Sequence, residues 1–169
     1  MIPQFHGLEQ EEVDLMYNSF ALITLLIGGA DGKLDEDEQN WAAKITHIRS
    51  FTNEDSLKDF YQEVNDKYQE KLNKLSEGLP ADTEARNQSL SDQLSGLNAI
   101  LAKLEEVFAA RLYRDMRSFA KQVAKASGGF LSIGSISKAE KAWIELPMIT
   151  PVVSENLPDA PDPYADEEE

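Results

Sequence analysis

The sequence predicts a single, nearly all-α domain of helical-bundle type with an internal pseudo-duplication, a helix-turn-helix element that occurs twice. Three observations carry that expectation. Seven prolines (Pro3, Pro80, Pro147, Pro151, Pro158, Pro161 and Pro163) leave two long proline-free stretches, and both repeat their apolar residues with helical spacing. No segment alternates apolar and polar residues in the manner of a strand. Finally, one ten-residue pattern appears at both 32–41 and 134–143.

The first helix is expected from Glu9 to Gly28. Val13, Tyr17, Phe20, Leu22, Ile23, Leu25, Leu26 and Ile27 make its second half apolar on nearly every face, which demands a central position. Gly28-Gly29 ends it, glycine being favoured just past a helix C-terminus. A second helix, Glu36 to Arg49, offers Trp41, Ala42, Ile45 and Ile48 as its inward face. A third, Asn53 to Leu75, spaces Leu57, Phe60, Tyr61, Val64, Tyr68, Leu72 and Leu75 by three and four. After the break at Ser76–Pro80, residues 82–126 form a long amphipathic segment with one stripe from Leu90 through Leu94, Leu97, Leu101, Leu104 and Phe108 to Leu112. It reads either as one helix or as two with a bend at Ala109–Leu112. The stripes at 57–75 and 90–112 invite pairing as a long central hairpin across Gly78-Leu79-Pro80, which makes 52–112 an insertion in a domain of residues 1–149. A last helix, Lys138 to Leu146, precedes Pro147.

The repeated pattern is G-x-[LI]-[DS]-x-x-E-x-x-W, and it contains both tryptophans of the chain. Asp35 and Ser137 suit the N-cap position, and Glu38 and Glu140, three residues later, complete capping boxes. Trp41 and Trp143 then project from first turns, with core packing as the expected role. The first copy alone is strongly acidic, with Asp31, Asp35, Glu36, Asp37 and Glu38 inside eight residues. Its Asp-Gly and final glutamate match the later half of an EF-hand loop. The first and third positions would then be Ile27 and Gly29, which supply no carboxylate, so the loop is not a competent EF-hand. Two readings stay open. Either Asp35, Glu36, Asp37 and Glu38 serve the cap and the helix dipole, or Asp31, Asp35 and Glu38 hold a divalent cation (Ca²⁺ or Mg²⁺) loosely. Asp31 is the residue that capping explains least.

At these residues the chain resembles the TerB-like family, named for tellurite-resistance proteins and also found in membrane-anchored J-domain co-chaperones. The resemblance rests on Gly29-Ala30-Asp31-Gly32, Leu34 and Glu38, and on Gly128-Gly129-Phe130-Leu131 through Ile136, Ser137 and Glu140. It brackets residues 15–148. It implies a helical bundle with pseudo-symmetry, an acidic surface, and a metal-related or stress-related role in bacteria. By the same resemblance Asp31 and Glu38 are the candidate metal-binding residues. Glu140 matches the second turn, whose loop lacks an equivalent of Asp31.

Composition narrows the function. The chain of 169 residues is 41% hydrophobic and 28% charged, ordinary for a soluble globular protein. It has no cysteine, which removes disulfides, thiolate metal sites and cysteine nucleophiles. Net charge is −15. Residues 150–169 hold seven acids and no Lys or Arg, and the remainder has 24 acids against 16 bases. Both parts repel phosphate backbones and anionic membrane surfaces, so neither nucleic acid nor membrane is expected as a partner. Residues 150–169, acidic and proline-rich, have the composition of a disordered tail. Met1–His6 lacks a basic segment followed by an apolar run, and the longest apolar run, 20–30, is too short to span a bilayer. The expected location is cytoplasmic.

Catalysis finds no support. His6 and His47 are the only histidines and build no Ser-His-Asp set; a position near the end of the second helix accounts for His47 through the dipole. Gly128-Gly129 lacks the lysine and further glycines of a phosphate loop. The expectation is therefore a non-enzymatic binding or scaffold protein with a protein partner, in which a homodimer is allowed. The alternative is a purely structural or interaction module, phage- or conjugation-related, without a ligand.

Overall fold

The computed structural model describes residues 1–30, 36–52, 55–127 and 138–157. Their regular structure is all helical, with no strand among the described residues: α1 (Gln10–Gly28), α2 (Glu36–Thr52), α3 (Asp55–Glu77), α4 (Thr83–Ser95), α5 (Leu97–Leu101), α6 (Glu106–Ser127) and α7 (Lys138–Trp143), preceded by a 3₁₀ turn at Pro3–Phe5.

The all-round apolar character of α1 has the consequence expected of it. Val13, Met16, Phe20 and the whole run Ala21–Gly28 are buried, and α1 packs on every other helix of the bundle. Its end is held by α4. The Arg86 guanidinium donates to the Gly29 carbonyl at 2.8 Å and the Asn87 amide to that of Ala30 at 3.3 Å, satisfying carbonyls a helix terminus leaves open. Glycine is required at 29 for space: an added Cβ would stand 2.6 Å from the Leu25 carbonyl oxygen.

The face that α2 buries differs from the expected one. Ala42, Ile45, Thr46 and Arg49 point inward, a spacing of i, i+3, i+4 and i+7. Trp41 is 47% exposed and Ile48 is 51% exposed. One residue is about 100° of helix rotation, so burying Arg49 turns its neighbours Ile48 and Trp41 out of the core. Trp143 differs from its counterpart: it is half-buried and packs against the core. The two tryptophans therefore do not share one environment. Helix α2 also continues to Thr52, which leaves His47 more than one residue short of the last turn rather than in it.

Helix α3 buries Leu57, Phe60, Tyr61, Val64, Tyr68 and Leu72, as its period requires. It packs on α1 and α2 rather than along α4, so the expected hairpin is not the arrangement adopted. Both stripes are satisfied by α1 instead, the most apolar surface available to either. Residues of 52–112 and of the flanking helices enter one core cluster.

Residues 82–126 break twice, at Gly96 and at Ala102–Glu105, not at Ala109–Leu112, which lies inside α6. At the first break Gly96 lets the backbone approach α1, where a Cβ would lie 3.0 Å from Leu15 Cδ2. At the second, Glu105 caps α6 by accepting the amides of Val107 and Phe108 at 3.0 and 2.9 Å. These bonds hold its carboxyl below the usual carboxylate range.

Beyond α7 the chain reverses at Leu146, a buried residue with φ of 50°, a conformation uncommon for a branched side chain. Residues 150–157 then run against α6 and the core, with Val152 packed on it. The rest of the acidic tail lies outside the described residues.

Candidate functional site

The sequence points first to the acidic turn. Asp31 and Asp35 lie outside the described residues, as does the Glu38 side chain, and so do residues 134–137 of the second copy. Among the described residues no group of three or more His, Asp or Glu side chains is arranged to hold a metal ion, and no helix is long and apolar enough to cross a membrane.

The chemically densest cluster is one that hydropathy conceals. Arg49 is 0% exposed. Its Nη1 donates to the Asp115 carboxylate at 3.0 Å, to the Asp115 carbonyl at 2.9 Å and to the Tyr61 hydroxyl at 3.0 Å. Its Nη2 reaches Ser118 Oγ at 3.3 Å and Gln122 Oε1 at 3.4 Å. The guanidinium carbon lies 5.9 Å from the Tyr61 ring and 5.6 Å from that of Phe119, so cation–π attraction adds to the ion pair. Burial pushes the Tyr61 phenol well above its ordinary range, against the opposing pull of Arg49. It therefore stays protonated and donates to Asp115 Oδ2. The Arg49 Nη groups, the Tyr61 hydroxyl and the Asp115 carboxylate bond to one another across three helices, which is the chemistry of a tie between α2, α3 and α6 rather than of turnover.

Open clefts lined by described residues flank the bundle. One, of about 480 Å³, lies among α1, α3 and the turn at Gly78-Leu79. It presents Lys67, Lys71 and Lys74 but also Asp14 and Glu70, so its field is mixed. Burial lowers the Lys71 ammonium, which sits 5.4 Å from the Tyr17 ring centre. Another, of about 340 Å³, lies between α6 and residues 152–157, and includes Arg114, Arg117, Ser118 and Lys121. A strap forms its outer wall. Asn98 anchors the strap's start, donating to the Met148 carbonyl at 2.9 Å and accepting the Thr150 amide at 2.7 Å. Substituting Asn98→Ala should release it: hydrogen exchange at residues 150–157 should accelerate at least several-fold while α1 stays protected. Unchanged exchange would mean that the strap is held by other contacts.

Neither Arg49, Tyr61 and Asp115 nor the strap cleft follows from the sequence motifs. A signal for the first existed: Arg49 and Asp115 are charges set in phase with the buried stripes of their own helices. The cleft joins segments about thirty residues apart, and no local pattern announces it. Comparison with family profiles, curated proteins and solved structures finds no match in any of the three.

Proposed function

We propose that this chain is a non-enzymatic helical binding or scaffold protein of TerB-like type, which engages a protein partner through the outward face of α2. The exposed indole of Trp41 carries the reading. A tryptophan left nearly half in water forgoes a large burial energy, and tryptophan is the residue type most enriched at interface hot spots. It follows directly after the acidic segment 31–38, so a cation held weakly by Asp31, Asp35 and Glu38 would act on the same face. The stress-related role rests on the family resemblance alone. The non-enzymatic part is supported by the mutual hydrogen bonding of the buried polar groups.

A photo-crosslinking residue placed at position 41 of the full chain in cells should give a discrete adduct that the same residue at the exposed position 66 does not. An adduct of twice the chain mass would identify the partner as a second copy. Equal labelling at both positions would remove the basis of the reading. For the cation, Trp41 emission in a Trp143→Phe background should change saturably with Ca²⁺ or Mg²⁺ at millimolar concentration, and the change should vanish in Asp31→Asn. A flat titration would end the metal component and leave the partner component standing.

A further inference from the structure

The cleft under the C-terminal strap gathers cationic donors of this acidic chain, of which Arg114 and the Arg117 Nε meet no carboxylate among the described residues. Arg114, Arg117, Ser118 and Lys121 stand at i, i+3, i+4 and i+7 of α6 and line its floor. Glu145 takes one nitrogen of Arg117 and the Lys121 ammonium. The Nε of Arg117 is buried and without an acceptor. The Arg114 side chain makes no hydrogen bond or ion pair among the described residues. Ser118, only 3% exposed, accepts from Arg49 and keeps its own hydroxyl proton to donate. In a chain with 31 acids against 16 bases, the Arg114 guanidinium and the Arg117 Nε, both without an acceptor among the described residues on one face of a concave site, are open to a further acceptor.

The opposite wall is apolar. Val152 and Leu157 are half-buried against the bundle, and Val153 stands on the rim at 83% exposure. We propose that this cleft binds a small organic oxyanion, a carboxylate or phosphate ester on a short apolar body, with Arg114 and Arg117 holding the oxyanion and the strap valines covering the body. Guanidinium forks match both oxyanions in geometry and bind them through charge-assisted hydrogen bonds. The volume falls at the small end of the roughly 300–1,000 Å³ usual for small-molecule sites. Size also selects the ligand class. A small anion responds to charges within about one Debye length, roughly 8 Å, where Arg114, Arg117 and Lys121 outnumber the Glu145 carboxylate that pairs with two of them. A polyanion would meet the net charge of −15 and be repelled.

The site is separate from the α2 face, and its test reads different residues. The ¹⁵N-labelled full chain is titrated with hexanoate, hexyl phosphate and inorganic phosphate at constant ionic strength, with chloride as the control. Saturable shifts are expected at the Nε–Hε signals of Arg114 and Arg117 and at amides 152–157, with Kd for hexanoate or hexyl phosphate of about 1 mM or tighter. Inorganic phosphate should bind more weakly than its hexyl ester. In Arg114→Gln the affinity should fall about tenfold, the loss of one charge-assisted contact. Val153→Asp, at an exposed position that the fold does not need, should weaken binding in the same sense and serves if Arg114→Gln fails to fold. Shifts that drift linearly and equally with chloride, or saturable shifts that survive either substitution, would overturn the proposal. Equal affinity for phosphate and its hexyl ester would overturn the role given to the strap.

Discussion

Replacing Arg49 with methionine should lower the free energy of unfolding by about 3–5 kcal/mol, because it breaks a buried ion pair by removing one of its partners. For a chain of this length the melting temperature should fall by roughly 6–20 °C. The loss comes from the desolvated charge that stays behind more than from the pair itself, and that distinction can be measured. In the double variant Arg49→Met with Asp115→Leu neither charge of this pair remains, and most of the stability should return. Tyr61→Phe removes only the hydroxyl that lies between them and should cost about 1–3 kcal/mol. Urea unfolding of the three variants against the parent chain separates these outcomes. If Arg49→Met lies within 1 kcal/mol of the parent, the network does not hold α2 in its observed rotation. If the double variant is as unstable as the single one, the pair is net stabilising rather than merely costly to break.

That rotation also marks the limit of what the sequence discloses. Helices α1 and α3 were legible because their apolar residues are numerous and in phase, and each phase fixes a buried face. In α2 the phase was ambiguous. Two apolar sets, Trp41 with Ile48 and Ala42 with Ile45, lie about 100° apart, and hydropathy favours the set with the larger side chains. The decision belongs to Arg49, whose partners Tyr61 and Asp115 are 12 and 66 residues away. A stripe likewise reports that a face is covered without naming the cover. The stripes at 57–75 and 90–112 suggested each other, yet α1 offers both a wider apolar surface. The break at Ala102–Glu105 had a local cue in the capping carboxylate of Glu105, less conspicuous than a glycine or proline. The candidate cation residues Asp31, Asp35 and Glu38 were visible as composition. The strap cleft was not, since the reversal at Leu146 that creates it depends on burial of a side chain in a left-handed backbone.

Truncating Phe60 to alanine should produce the other large effect, a loss of about 3–5 kcal/mol, and it tests whether α3 belongs to the core or hangs from it. Phe60 touches four rings: Phe5 at 5.9 Å, Tyr17 at 5.8 Å with the planes only 20° apart, Phe20 at 5.8 Å and Tyr61 at 5.6 Å. Phe20 in turn reaches Phe119 of α6 at 4.9 Å, so the ring contacts run from the N-terminal turn through α3 and α1 to α6. Close packing leaves such a cluster little room to collapse around a cavity, and offset or edge-on geometry adds to the area term. Phe60→Leu keeps most of the volume and should cost less than half as much. Position matters as much as magnitude. An insertion stacked on a finished domain would lose protection only within 55–77. A shared core predicts faster hydrogen exchange in α1 and α6 as well, at the amides flanking Phe20 and Phe119, with unfolding still a single transition. Protection that changes in α3 alone would show that residues 52–112 form a unit of their own, and the Phe20–Phe60 contact would then be an interface between units.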